Sequence, residues 1–226
     1  MASTSQLDPV ELVQQAIHET KKPLSIVVER SQVLPTKGLG KREQKTVELI
    51  QDSSERALAF VNAMWEVIKI DSLQPSIESR SVDFVLNEVI RSLPDESLAA
   101  VEVESGLPLL EVDTERIVRA TSILWSHAVK SASEGKVAIR AYFDNPYVVV
   151  SVGEGVSSKR SGSGEVIPNL PKEQAQGTDS IELLLVSRII TLHSGNFWLT
   201  KGVGSSVRFN YSLPPVIDRH GGQKTV

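Results

Sequence analysis

The chain has 226 residues, 40% hydrophobic and 23% charged, which excludes a disordered polyelectrolyte and leaves apolar material for one or two ordinary domains. A net charge of −4 with acids and bases interspersed argues against a nucleic-acid partner, and the absence of cysteine excludes disulfides and thiolate metal sites. No apolar run approaches the roughly 18 residues that span a bilayer, and the opening "MASTSQLDP" lacks a signal peptide's basic and apolar regions, so a cytoplasmic protein without a membrane partner is expected.

The first predicted element is a helix that Asp8 caps, with Pro9 at the first helical position and Glu11 closing a capping box. Its apolar seam runs Val10, Val13, Ile17, Thr20, Leu24, Val27, Ser31, Leu34, in steps that alternate three and four. Inside it lies "IHETKKPL", residues 17–24. Pro23 removes the N–H that the carbonyl of Glu19 would accept from, so the helix is expected to bend there and continue. His18 sits about 100° around the helix from Ile17, which projects its imidazole from the flank of the seam.

After the breaker "PTKGLGK", a second helix carries a matching seam through Val47, Ile50, Ser54, Ala57, Val61, Met64 and Ile68. A further stripe, Leu49, Phe60 and Val67 with Leu58 and Trp65, makes this face wider than one partner helix covers. Such a hairpin either pairs with a second copy as a four-helix bundle or packs its surplus surface on the rest of its own chain.

"DSLQPSIESRS" reads as a polar linker, after which the pattern changes. Asp83 is the predicted cap of a helix "FVLNEVIRSL"; a strand "AAVEVE" follows; Asp113 is the predicted cap of "TERIVRATSILWSHAVKSA". "KVAIRAYF" and "YVVVSV" flank the turn "DNP" as a hairpin. Residues 153–177 are rich in Gly, Ser, Pro, Lys and Gln without periodicity, and read as a long loop. A helix "SIELLLVSRIITLH", two strands "GNFWLTK" and "SSVRFNYSL", and a loose tail from Pro214 complete the chain. The expected fold is α+β: a helical hairpin, then a layered domain with helices on one face of a mixed sheet.

Four of these segments, in order, resemble the core of two-component sensor histidine kinases. They are "HETKKPL", "MWEVIKIDS", "VDTERIVRATSILWSHAVK" and "RIITLHSGNFWLTKGVGSSVRFNYSLP". The resemblance covers residues 8–213. It implies a dimerisation and histidine phosphotransfer hairpin over 1–71, a linker over 72–82, a Bergerat-type ATP-binding domain over 83–213 and a tail over 214–226. It implies ATP and magnesium as cofactors, the receiver domain of a response regulator as partner, and a homodimer formed through residues 8–70. His18 is by resemblance the phosphoacceptor. An imidazole nitrogen is a competent nucleophile near neutral pH, and Glu19 beside it can orient the ring or take its proton. Three residues after Glu19, where the family's phosphatases carry Thr or Asn, this chain has Lys22, whose ammonium cannot orient an attacking water as an acceptor would.

The nucleotide motifs depart further from the family. Two asparagines of the family's N box, the second of which coordinates magnesium, are replaced by Ile123 and His127. Magnesium prefers hard oxygen ligands, so His127 is either a phosphate-binding imidazole or a structural residue beside Trp125. The adenine-binding acid and first glycine correspond to Glu154 and Gly155, but Val156 stands where close approach favours glycine. Of the second glycine-rich element only Gly177 and Thr178 remain, followed by Asp179, Ser180, Ile181 and Glu182. Two carboxylates there oppose a phosphate at the helix start, unless Lys159 and Arg160 compensate. The expectation is phosphoryl transfer through His18 to or from a regulator aspartate, with ATP-dependent autophosphorylation weak or lost. The alternatives are a non-catalytic pseudokinase scaffold that docks a regulator or kinase, and an active divergent kinase.

Overall fold

Two long helices open the chain as an antiparallel hairpin: α1 (Pro9–Gln32) and α2 (Lys41–Ile70). The computed structural model describes residues 9–34, 38–70, 74–93, 99–132, 137–154, 166–167, 178–201 and 207–216. α1 runs through Pro23 without a break. α2 starts at a reciprocal cap, in which the Gly40 N–H donates to Glu43 Oε2 at 2.8 Å. Two side chains tie the helices together near the turn: Gln51 Nε2 donates to the Ser31 carbonyl at 2.7 Å, and Gln32 Nε2 to Glu55 Oε1 at 3.2 Å.

The predicted α1 seam divides in two. Ile17 and Ser31 are buried against α2, whereas Val13, Val27 and Leu34 remain 42–45% exposed. On α2, Ser54 and Val61 are buried while Leu49 and Ile50 stay open. The C-terminal half of α2 packs on α5 (Thr178–Leu192), and Val67 and Ile70 join the core of the layered domain. Part of the surplus face is therefore covered within the chain, and the apolar positions of α1 and the first half of α2 are left over.

The layered domain is a six-stranded mixed sheet and a short two-stranded one. Chain order gives β1 (Glu78–Arg80), α3 (Val82–Ser92), β2 (Ala99–Val103), β3 (Leu110–Val112), α4 (Thr114–Ser131), β4 (Val137–Asp144), β5 (Tyr147–Glu154), β6 (Val166–Ile167), α5, β7 (Asn196–Lys201) and β8 (Val207–Leu213). The large sheet runs β2-β4-β5-β8-β7-β6, with β2 parallel to β4 and every other pair antiparallel; β1 pairs with β3. Strand alternation sends Val148, Val150 and Val152 to the face that α4 and α5 cover, where they meet Ile117, Leu124, Val186 and Ile190. One polar pair crosses this core: Tyr211 and Thr121 share a hydroxyl hydrogen bond of 2.9 Å, and burial pushes the Tyr211 phenol well above its ordinary range. The turn from α5 into β7 needs a glycine, because a Cβ on Gly195 would lie 2.0 Å from the Ser212 carbonyl.

The α+β architecture with helices on one face is as expected from the sequence, but several details differ. Ser81, not Asp83, caps α3: its backbone is extended and its hydroxyl accepts the Phe84 N–H at 3.2 Å. The hydroxyl two residues earlier wins because Val82 and Val85 must both face the core. The linker contains β1, and β5 continues to Glu154. The tail is anchored at its start, where Pro215 bridges Leu110 and the Val216 N–H donates to the Leu109 carbonyl at 2.7 Å. None of the described helices is long and apolar enough to cross a membrane.

Candidate functional site

His18 is exposed on α1, in the half of the hairpin that lies near the layered domain. The contacts of Ser31 and Gln32 with Gln51 and Glu55 set the helix register, which brings His18 level with the Trp65–Lys69 turn of α2. Glu19 is also exposed, and its Oε1 lies 3.4 Å from Lys22 Nζ. This is a solvent-screened pair of small energy, so the carboxylate can leave it at little cost.

On the layered domain, Ile123 and His127 sit on the same side of α4 and are 5% and 7% exposed. His127 packs its ring against Phe209 at 6.1 Å between centroids, and its Nε2 stands 3.0 Å from Glu182 Oε2, off the line of a straight hydrogen bond. Glu182 comes from the first turns of α5. Its interaction with His127 holds the carboxyl below its ordinary value against the opposing effect of burial, with the positive charges of Lys130 and Arg119 adding to it. Glu154 is buried at the end of β5. Gly155 and Gly177 lie outside the described residues, as does the side chain of Thr178; Lys159 and Arg160 lie outside them too.

His127 is thus brought together with Glu182, one of the two carboxylates that the sequence places at the start of the last helix. Sequence spacing gives no sign of the pair, since residues 127 and 182 belong to different helices. The side chains present do not fit a magnesium ion at the N-box position, because the imidazole there faces a carboxylate of its own chain and no group of three metal-binding side chains occurs among the described residues.

Removing one member of this pair has a defined cost. Glu182→Ala is expected to lower the unfolding free energy by about 1–3 kcal/mol, as for a buried polar group that loses its partner. Urea titration measures it. The folded pKa lies below the ordinary 4.5, so the carboxylate's contribution is complete above 4.5 and disappears as pH falls through the folded value. The stability gap between parent and variant should close over that range and not at neutral pH.

A second polar cluster, at the junction of linker, α4 and α5, was visible from sequence only as the Asp113 cap. Asp113 Oδ1 accepts the Arg116 N–H at 3.2 Å; Oδ2 accepts the Ser76 N–H at 2.9 Å and stands 3.3 Å from Arg116 Nε. Arg116 Nη1 reaches the Ile70 carbonyl at the end of α2, at 3.5 Å. The Asp113 N–H donates to His193 Nε2 at 3.0 Å, which makes Nδ1 the protonated nitrogen, donating to the Ile189 carbonyl at 2.7 Å. Both nitrogens of a neutral imidazole are satisfied, and burial lowers the His193 pKa from 6.5. In the unfolded chain this group takes a proton more readily. Its contribution is therefore whole above pH 6.5 and lost as pH falls toward the folded pKa. Chemical denaturation across that interval should show stability falling with pH in the parent and a flatter profile in His193→Gln.

The architecture is a long helical hairpin joined to a mixed sheet covered on one face by helices. No family model matches the chain. Among curated proteins it is 27% identical over 222 residues to the sensor histidine kinase TmoS of Ectopseudomonas mendocina, and 24% identical over 220 residues to the sensor histidine kinase RcsC of Escherichia coli. Each alignment takes 87% of this chain and 22% of the relative. A probable histidine kinase 1 of Oryza sativa is 29% identical over 132 residues. The chain thus spans about a fifth of the length of TmoS and RcsC. Among solved structures, full-length ShkA in complex with AMPPNP superposes with a TM-score of 0.63 at 20% identity, covering 95% of this chain and 47% of ShkA. The Acinetobacter baumannii histidine kinase AdeS gives 0.52 at 15% identity, covering 88% of this chain and 98% of the AdeS chain. Over most of its length the chain resembles the core of two-component sensor histidine kinases, and its fold is a helical hairpin followed by a Bergerat-type domain.

Proposed function

We propose that this chain is a two-component signalling module in which His18 exchanges a phosphoryl group with the aspartate of a response-regulator receiver domain, while ATP-dependent autophosphorylation is weak or lost. The carrying observation is the contrast between two histidines. His18 is exposed on the hairpin flank, where a receiver can approach, and His127, at the position from which relatives hold the nucleotide's metal, faces Glu182 at 3.0 Å. A carboxylate in that position repels phosphate and has already taken up the imidazole.

The receiving nitrogen attacks phosphorus with its lone pair. The bond from phosphorus to the aspartyl oxygen breaks, a P–N bond forms, and the proton on the other ring nitrogen passes to water or to Glu19. The reading includes a homodimer: the uncovered Val13, Val27, Leu34 and Ile50 lie on the hairpin, where a second copy would bury them.

The test compares two phosphate donors on the purified chain. Label arriving from a phosphorylated receiver domain and not from magnesium-ATP is the expected result. Efficient labelling from ATP would instead establish an active divergent kinase. Labelling from neither donor, with receiver binding retained, would establish a docking scaffold.

A further inference from the structure

A cleft of about 840 Å³, lined by neither His18 nor His127, opens between the last turns of α2, the linker, and the outer faces of α4 and α5. That size falls within the range of small-molecule sites, about 300–1,000 Å³. Ile70, Leu185 and Ile189 contribute an apolar floor, all three buried, and Trp65 a partly exposed aromatic wall. Lys69 Nζ lies over the Trp65 ring, 4.4 Å from its centroid, so one face of this wall carries a cation and its edge and other face are left for a flat ligand.

The polar groups of the rim are unequally used. Asp113 is saturated by the Ser76 and Arg116 donors, and the Ser92 and Ser122 hydroxyls bond to each other at 2.8 Å. Arg119 is not saturated. It gives Nε and Nη2 to Glu66 at 3.2 and 3.1 Å, and of five N–H donors this leaves the Nη1 edge without a partner among the described residues. The acids Glu66, Asp113 and Glu115 balance the cations Lys69, Arg116 and Arg119, which disfavours a polyanion such as an oligophosphate.

We propose that this cleft is a binding site for a small aromatic monocarboxylate, whose ring lies along Trp65 over the Leu185–Ile189 floor and whose acid group takes the open edge of Arg119. Such a ligand touches the hairpin on one side and the layered domain on the other. Its occupancy strengthens the contact of α2 with α4 and α5, beside the helix turn level with His18. The site shares no lining residue with the His127–Glu182 pair.

Naphthalene-2-carboxylate is a suitable probe and 2-naphthylmethanol its neutral counterpart, both titrated calorimetrically into the full chain. The carboxylate is expected to bind saturably and at least about tenfold more tightly than the alcohol, the range of one charge-assisted hydrogen bond. Arg119→Gln should remove that preference, and Trp65→Leu should weaken both compounds alike. The Arg119–Glu66 pair is exposed, so Arg119→Gln should remain folded, which its melting curve checks. Absence of saturable binding at millimolar probe, equal affinity for acid and alcohol, or an unchanged preference in Arg119→Gln would each overturn the proposal.

Discussion

In His18→Gln, label from a phosphorylated receiver domain should no longer reach the chain, while the far-ultraviolet spectrum and melting temperature should match those of the parent. The two halves of this result come from the same fact, the exposure of residue 18 on a helix flank. No described residue packs it into the core, and Gln is at least as good a helix former as His, so the fold loses at most a few tenths of a kcal/mol. The proposed chemistry loses its nucleophile. A carboxamide nitrogen has its lone pair delocalised into the carbonyl and cannot attack phosphorus, so transfer falls by on the order of 10³-fold or more, below detection. Glu19→Gln tests the neighbouring role. If the carboxylate accepts the imidazole proton, that variant slows transfer by roughly 10²-fold without abolishing it. The pairing of Glu19 with Lys22 bears on the outcome. Lys22→Ala frees the carboxylate and should leave the rate unchanged or higher, because an exposed pair of this kind contributes little. Gel autoradiography of the three variants against the parent gives all these values in one experiment.

The hairpin was legible in the sequence because its information is local. A seam stepping three and four residues needs no distant partner to be recognised, and α1 and α2 run as the spacing predicts, including through Pro23. The strands β4, β5, β7 and β8 were legible for the same reason, since their alternation and turn residues are adjacent in the chain. β1 and β3 were not. Each has three residues, and Leu110 and Val112 acquire their meaning only by pairing with a segment some thirty residues earlier. The Ser81 cap was missed because both Ser81 and Asp83 have capping side chains, and the choice between them is made by which helix register buries Val82, Val85 and Val89.

Of the candidate site, His18 and Glu19 could be placed by helical geometry alone. Glu182 could not be paired with His127, because that contact is made by two helices crossing over the sheet. A carboxylate at the start of a helix has a sufficient local explanation as a capping-box member, and the sequence offers no reason to look further. His193 is similar. Its neighbours in the chain give no sign that both nitrogens are spent on backbone groups from α5 and the α4 cap.

Asp113→Ala should lower the unfolding free energy by about 2–3 kcal/mol, the largest stability loss expected of any polar substitution at these sites. About 1 kcal/mol is the loss of the α4 N-cap. The remainder, about 1–2 kcal/mol, comes from leaving the Ser76 N–H and the Arg116 guanidinium without their carboxylate, in a position where Asp113 itself is only 8% exposed. Asp113→Asn separates the two contributions. Its amide oxygen can still cap the helix, but it cannot satisfy Arg116 as a carboxylate does, so about half the loss should return. The substitution also reaches beyond α4. Ser76 belongs to the linker and Ile70 to the end of α2, so the same side chain that caps α4 fixes the point where the hairpin enters the layered domain. Amide exchange at Ser76 should therefore accelerate in both variants, more in Ala than in Asn, while the strands of the large sheet change only with global stability. An Asp113→Ala protein that loses stability without faster exchange at Ser76 would make Asp113 a helix cap alone. Local acceleration at the linker would make it the joint through which the hairpin that carries His18 is held against the rest of the chain.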